Sequence, residues 1–346
     1  MRLHFVDTLR VLLIALVVVH HVAGIYSGLD AWYFTETPTS DGESLLLTVF
    51  MLVNQAWFMG AFFLLAGLFT PASYDRKGPG RFLRDRLLRL GVPFLVFYFV
   101  INPLLWRDVH GIGSGPLWFV LALLIFDCCY AAFRFATRNR PRPARPGTPL
   151  PYRHVLTVIA LLAAATWALR IVIPIGFWIP VIDFPTAAYL PQYVTFFVLG
   201  IVAARRGWLP ATLRARTGWL GLALALGGTL VFFPLALAGG LEAWLGRGTL
   251  GSLFYALWDS TFAVGLVLAL LTLLRARFDR EHRYLSAHVF TVYVIHAVVV
   301  TVVGLSLTWL DWPSVAKFAL GAAVAVPACF LLAGPVRRIP GVRRVL

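Results

Sequence analysis

Arg10 and His21 stand eleven residues apart inside one apolar run. At 100° per residue that interval is about 1100°, roughly 20° from whole turns, so a helix places both on one stripe. The helical rise separates them by about 16 Å. An arginine near one membrane face and an imidazole past the midplane suit a helix lining a polar passage. Imidazole accepts and returns a proton near neutrality, its ordinary pKa being roughly 6.5. His21 is therefore a natural base for activating a hydroxyl. A structural hydrogen bond between helices is the plainer role for the same ring, with Arg10 merely marking the inner interface. His20 points about 100° away, a divergence that does not suit joint metal binding. Asp7 lies one turn below Arg10 and can pair with it at i, i+3.

These groups need a scaffold, and the composition says which. Of 346 residues, 60% are hydrophobic and 13% charged, against roughly 25% charged in soluble domains. Most of the surface therefore faces lipid. A hydrocarbon core of about 30 Å takes roughly 20 mainly apolar helical residues. Such spans fall near 10–27, 45–70, 87–106, 116–136, 154–174, 187–204, 217–239, 249–274, 288–310 and 314–334. Helices are expected because backbone polar groups in lipid must be satisfied within the segment. The expected fold is all-α and polytopic, with about ten transmembrane helices in one integral-membrane domain, 1–346.

The formal charge of +15 does not point to nucleic acid. Arginines crowd alternate loops (Arg76, Arg81 and Arg84; Arg138 to Arg145; Arg205 to Arg216; Arg275 to Arg283) and the tail, whereas Asp30, Glu36, Asp41 and Glu43 occupy the first loop. The alternation predicts cytoplasmic termini and an even number of spans in a cell inner membrane. Residues 137–152 mix proline with arginine and read as a flexible cytoplasmic loop. The three cysteines lack metal or disulfide spacing, and no phosphate-cradling glycine loop or nucleophile elbow is present.

Other polar groups at membrane depth are candidates because burying them in lipid is costly. Asp127 and Asp259 would orient a histidine or an acceptor if they are not simply paired. His296 offers a second imidazole, with a structural hydrogen bond as its plainer role. Trp118 reads first as an interfacial aromatic. Arg86 and Arg89, three residues apart, share a helix face and present planar forks suited to phosphate oxygens. Positive-inside anchoring is their alternative.

The segment FVDTLRVLLIALVVVHH (5–21) resembles the first span of the acyltransferase-3 family, whose signature is an arginine, ten residues, then a histidine. Arg10 and His21 match it. FFLLAGLF (62–69), with Ala66 where serine is usual, RLLRLGVPF (86–94), PLWFVLALL (116–124), FFVLG (196–200) and YVIHAVV (293–299) resemble further family elements in the right order. The resemblance covers nearly the whole chain. It implies a membrane O-acyltransferase that moves an acyl group, with acetyl expected, from cytoplasmic acyl-CoA to a hydroxyl. The acceptor would be a sugar, glycan or small molecule, as in polysaccharide modification. It further implies that His21 is the catalytic base and Arg10 its site partner, and it adds weight to Arg86 and Arg89 as ligands of coenzyme A phosphate against plain anchoring. No zinc motif is present, and no metal is expected. Trp118 sits in one matched element and His296 in another. The rival reading is a proton-coupled transporter or flippase using His21, Asp127, Asp259 and His296 as a relay.

Overall fold

The computed structural model describes residues 3–106, 112–137, 147, 151–180 and 182–346. Most of the expected 137–152 loop lies outside the described residues. About 80% of the chain is helical, with no strand among the described residues. The α-helices are α1 (His4–Tyr26), α2 (Asp41–Gln55), α3 (Phe58–Arg86), α4 (Val92–Val96), α5 (Asn102–Trp106), α6 (Trp118–Ala136), α7 (Tyr152–Val172), α8 (Leu190–Arg206), α9 (Trp208–Thr212), α10 (Ala215–Leu237), α11 (Leu241–Leu245), α12 (Leu250–Arg277), α13 (Arg283–Ser306) and α14 (Ser314–Arg338).

Nine helical stretches among the described residues are long and apolar enough to cross a membrane. The ten expected spans map onto them, because 45–70 and 87–106 both fall in the 66-residue stretch Asp41–Trp106. At 1.5 Å per residue that stretch is about 99 Å long, far beyond one crossing. Local chemistry interrupts it. Gly78 adopts φ 74°, ψ 169° inside α3, since Pro79 drives its predecessor out of the helical region and glycine alone tolerates positive φ cheaply. Pro93 and Pro103 remove the N–H groups that Arg89 and Phe99 carbonyls would accept. The turns just before them, Leu87–Gly91 and Phe97–Ile101, are π-helical. The arginine-rich linker expected between these spans is thus helical except at Gly78.

The chain divides into two compact units. The first comprises Met1–Leu9, Ala56–Arg86 and Ala122–Arg280. Within it α3 and α8 meet backbone to backbone. A Cβ on Gly67 would lie 2.1 Å from the Phe197 carbonyl oxygen, and one on Gly200 2.1 Å from that of Leu64. Close approach through small residues is how helices associate in lipid, where apolar burial supplies little drive. Asp75 of α3 binds Arg205 of α8 and, at 3.1 Å, Arg134 of α6.

The second unit comprises Arg10–Gln55, Leu87–Leu121 and Glu281–Leu346. Here the start of α14 is capped from outside its own helix. Glu43, in the first turn of α2, accepts the N–H groups of Ser314 and Val315 at 3.3 and 3.2 Å, placing negative charge where unsatisfied donors collect. Glu36 pairs with Lys317 one turn further on, at 2.7 Å. α13 closes on the end of α1 at Gly304, where a Cβ would meet Ile25 Cδ1 at 2.6 Å.

Candidate active site

α1 is an unbroken α-helix from His4 to Tyr26, so the one-stripe geometry of Arg10 and His21 holds along its length. Both side chains are half-buried. The His21 ring looks into protein. Its centroid lies 4.3 Å from Trp32 and 5.2 Å from His296, with interplanar angles of 29° and 23°. Trp32 and His296 are themselves 6.2 Å apart, too close to lie on opposite faces of His21, so the three rings form a triangle rather than a sandwich. Among the described residues no hydrogen-bonding group engages a His21 nitrogen. His20 is buried and meets His21 edge-on at 5.4 Å.

Each neighbour of His21 is fixed in turn. Trp32 donates its indole N–H to Thr301 Oγ1 at 3.1 Å, and Thr301 donates to the Ala297 carbonyl at 2.8 Å. His296 is fully buried, with Nδ1 against the Tyr293 carbonyl. A carbonyl can only accept, so Nδ1 carries the proton and Nε2 keeps the lone pair. That Nε2 has no hydrogen-bond partner among the described residues. Tyr293 donates its hydroxyl to the Pro116 carbonyl, and its ring packs on Phe119 at 5.9 Å. The PLWF segment therefore braces the residue one turn before His296. Trp118 itself is buried, edge-on to Phe119 at 6.3 Å.

Residues 3–334 match a family model described as an acyltransferase domain. The chain belongs to the acyltransferase-3 family. It is an acyltransferase and a multi-pass membrane protein. No curated protein matches it.

The remaining sequence candidates of the acyltransferase are distributed between its units. Asp127 is buried in the first unit, 2.9 Å from Arg86 Nε, and accepts from Thr70 Oγ1 at 2.9 Å. Arg86 is one-quarter exposed and its guanidinium also lies over Phe82 at 5.1 Å. Asp259, in the same unit, is paired with Arg170 at 2.6 Å, with both side chains sealed from solvent. In the second unit Arg89 is exposed in its π-helical turn. Asp7 is half-buried in the first turn of α1. No cluster of metal-ligating side chains occurs among the described residues.

Sequence reading did not single out Trp32 or Arg170. Arg170 carried a usable signal, an arginine inside the expected fifth span. Trp32 carried a weak one, since it lies in a loop only eleven residues beyond His21.

Proposed function

We propose that this acyltransferase is an O-acyltransferase of the inner membrane, with both termini cytoplasmic, that takes an acetyl group from acetyl-CoA and places it on a hydroxyl of a sugar, glycan or small molecule. The reading rests on one observation above others: the half-buried His21 ring, on a stripe with Arg10, has no hydrogen-bonding partner among the described residues while it is packed against the rings of Trp32 and His296. A ring positioned by packing alone can offer a nitrogen to a substrate without first breaking a protein hydrogen bond.

In the proposed step a His21 nitrogen takes the proton of the acceptor hydroxyl as its oxygen attacks the thioester carbonyl carbon. The tetrahedral adduct collapses with cleavage of the C–S bond, and the coenzyme A thiolate recovers the proton from His21. Arg10 is the proposed partner on the same stripe. Arg86 and Arg89 remain the proposed phosphate ligands. Arg89 fits that role by its exposure, whereas Arg86 has part of its charge offset by Asp127. The family match runs continuously through segments of both units, which supports treating 1–346 as one functional domain. A proton relay through Asp127 and Asp259 is disfavoured because each carboxylate already holds an arginine.

The test is acceptor acylation in membranes carrying equal amounts of wild-type, His21→Ala and His20→Ala protein. His21→Ala should lose about 10²-fold or more, the usual weight of a general base, with His20→Ala far less affected. Full activity in His21→Ala would end this mechanism, and equal losses would point to damage of α1 instead.

A further inference from the structure

The first unit contains an open-sided hollow of about 100 Å³, whose walls include Val155, Phe196, Leu199, Ala203, Trp208 and Val264. Among the described lining residues only Thr212 and the indole N–H of Trp208 offer polar atoms on their side chains. A wall of hydrocarbon excludes a nucleotide, a sugar or a peptide with polar backbone as the occupant, because each would leave its hydrogen-bonding groups unmatched. The rim is different in character. Leu199 and Arg206 are seven residues apart on α8, about 700°, so they share a stripe that runs from the apolar wall to the helix end. Arg206 is exposed, its guanidinium carbon lies 5.2 Å from the ring of Trp208, and no carboxylate pairs with it among the described residues. Arg275 donates to the carbonyls of Leu209 and Leu213, two other lining residues, at 3.4 and 3.2 Å, holding the α9 turn across this end.

We propose that the hollow binds one anionic phospholipid of the bilayer, with an acyl tail along α8 and the headgroup phosphate on Arg206. The charge pattern selects this occupant. An apolar slot ending in an unpaired arginine complements an apolar chain ending in an anion, and basic pockets between membrane helices hold anionic headgroups for this reason. Trp208 fits the same level, where aromatic rings settle at the boundary between acyl chains and headgroups. Arg206 ends α8 and Arg275 lies in the last turn of α12, each at the start of an arginine-rich segment that the positive-inside pattern assigns to the cytoplasmic side, so the lipid would come from that leaflet. The proposal does not depend on His21 or on the acyl-transfer mechanism.

The experiment uses the full-length protein, delipidated in detergent and offered dioleoyl phosphatidylglycerol or dioleoyl phosphatidylcholine, with bound lipid counted by native mass spectrometry. Wild type should retain phosphatidylglycerol as a one-to-one adduct about fivefold over phosphatidylcholine, the worth of one arginine against an anionic lipid. Arg206→Gln should erase the preference, and Ala203→Phe, which fills the slot, should reduce adducts of both lipids. Arg343→Gln, a basic change in the tail, should leave the preference intact. Equal retention of the two lipids by wild type, or an undiminished preference in Arg206→Gln, would overturn the assignment. Displacement of phosphatidylglycerol by an equal concentration of palmitoyl-CoA would overturn it as well, giving the hollow to a long-chain thioester.

Discussion

Arg170 and Asp259 meet in the first unit with Nη2 2.6 Å from Oδ2, and neither side chain sees solvent. The guanidinium carbon stands 4.8 Å from the Tyr189 ring and 5.1 Å from that of Tyr255. Nε and Nη1 find no acceptor among the described residues, and these π faces partly replace one. His21, in the second unit, is also at membrane depth, yet it is half-buried and packs against rings with no hydrogen-bonding partner among the described residues. Both arrangements put an ionisable group where lipid makes it costly. In one the charge is answered by its opposite and enclosed. In the other an imidazole is packed among rings and has no hydrogen-bonding partner among the described residues. Ionisable groups inside a membrane protein therefore separate by how they are partnered: a closed pair points to structure, and an accessible imidazole to chemistry.

Substitution should exaggerate that difference. Arg170→Met leaves Asp259 uncompensated in an apolar setting and should cost about 3–5 kcal/mol of stability. The double variant Arg170→Met/Asp259→Leu removes both charges and should regain most of the loss, with acylation per folded molecule close to wild type. His21→Ala should show the opposite pattern, keeping its unfolding midpoint while losing activity. Unfolding in detergent and acylation in membranes read the two effects separately. A stable but inactive Arg170→Met protein would place the ion pair in the chemistry and collapse the distinction.

His296 sharpens the contrast from within the second unit, being fully buried like Arg170 yet stacked on His21. Its Nδ1–H contact with the Tyr293 carbonyl can be mimicked by asparagine but not by glutamine. His296→Asn should therefore preserve stability and lower activity about tenfold, through lost ring packing against His21. His296→Gln should lose stability as well. Loss in His296→Asn as deep as in His21→Ala, at unchanged stability, would mean that Nε2 of His296 takes part in proton transfer.

The spans were legible because a long apolar run has few alternatives in lipid, and the Arg10–His21 stripe because a helix fixes angles between residues on the same segment. Partnerships across segments were not legible in that way. Nothing in the spacing of Arg170 and Asp259, 89 residues apart, announces their ion pair. Glu43 looked like one acid in an acidic loop, and its role as the cap of α14 requires knowing where that helix begins. Trp32 illustrates the limit most sharply, since hydropathy treats its loop as a connector while the fold returns it to the helix it has just left. The division of the 66-residue stretch was partly readable in retrospect: Gly78–Pro79, Pro93 and Pro103 each remove or redirect a backbone hydrogen bond.

The smallest expected effect concerns the link that keeps Trp32 against His21. Thr301→Val is nearly isosteric and removes the acceptor of the Trp32 indole N–H, leaving a buried donor unmatched at a cost of about 1–3 kcal/mol. Trp32→Phe removes the donor and keeps a ring for His21. If the hydrogen bond is the coupling between the two positions, the double variant should be less destabilised than the sum of the single changes, because the second substitution no longer strands a polar group. Activity should fall modestly in Thr301→Val, where the indole can shift, and remain closer to wild type in Trp32→Phe than in Trp32→Ala. Strict additivity would show that Trp32 is held by packing alone. Equal activity of Trp32→Phe and Trp32→Ala would remove the Trp32 ring from the contacts that position His21.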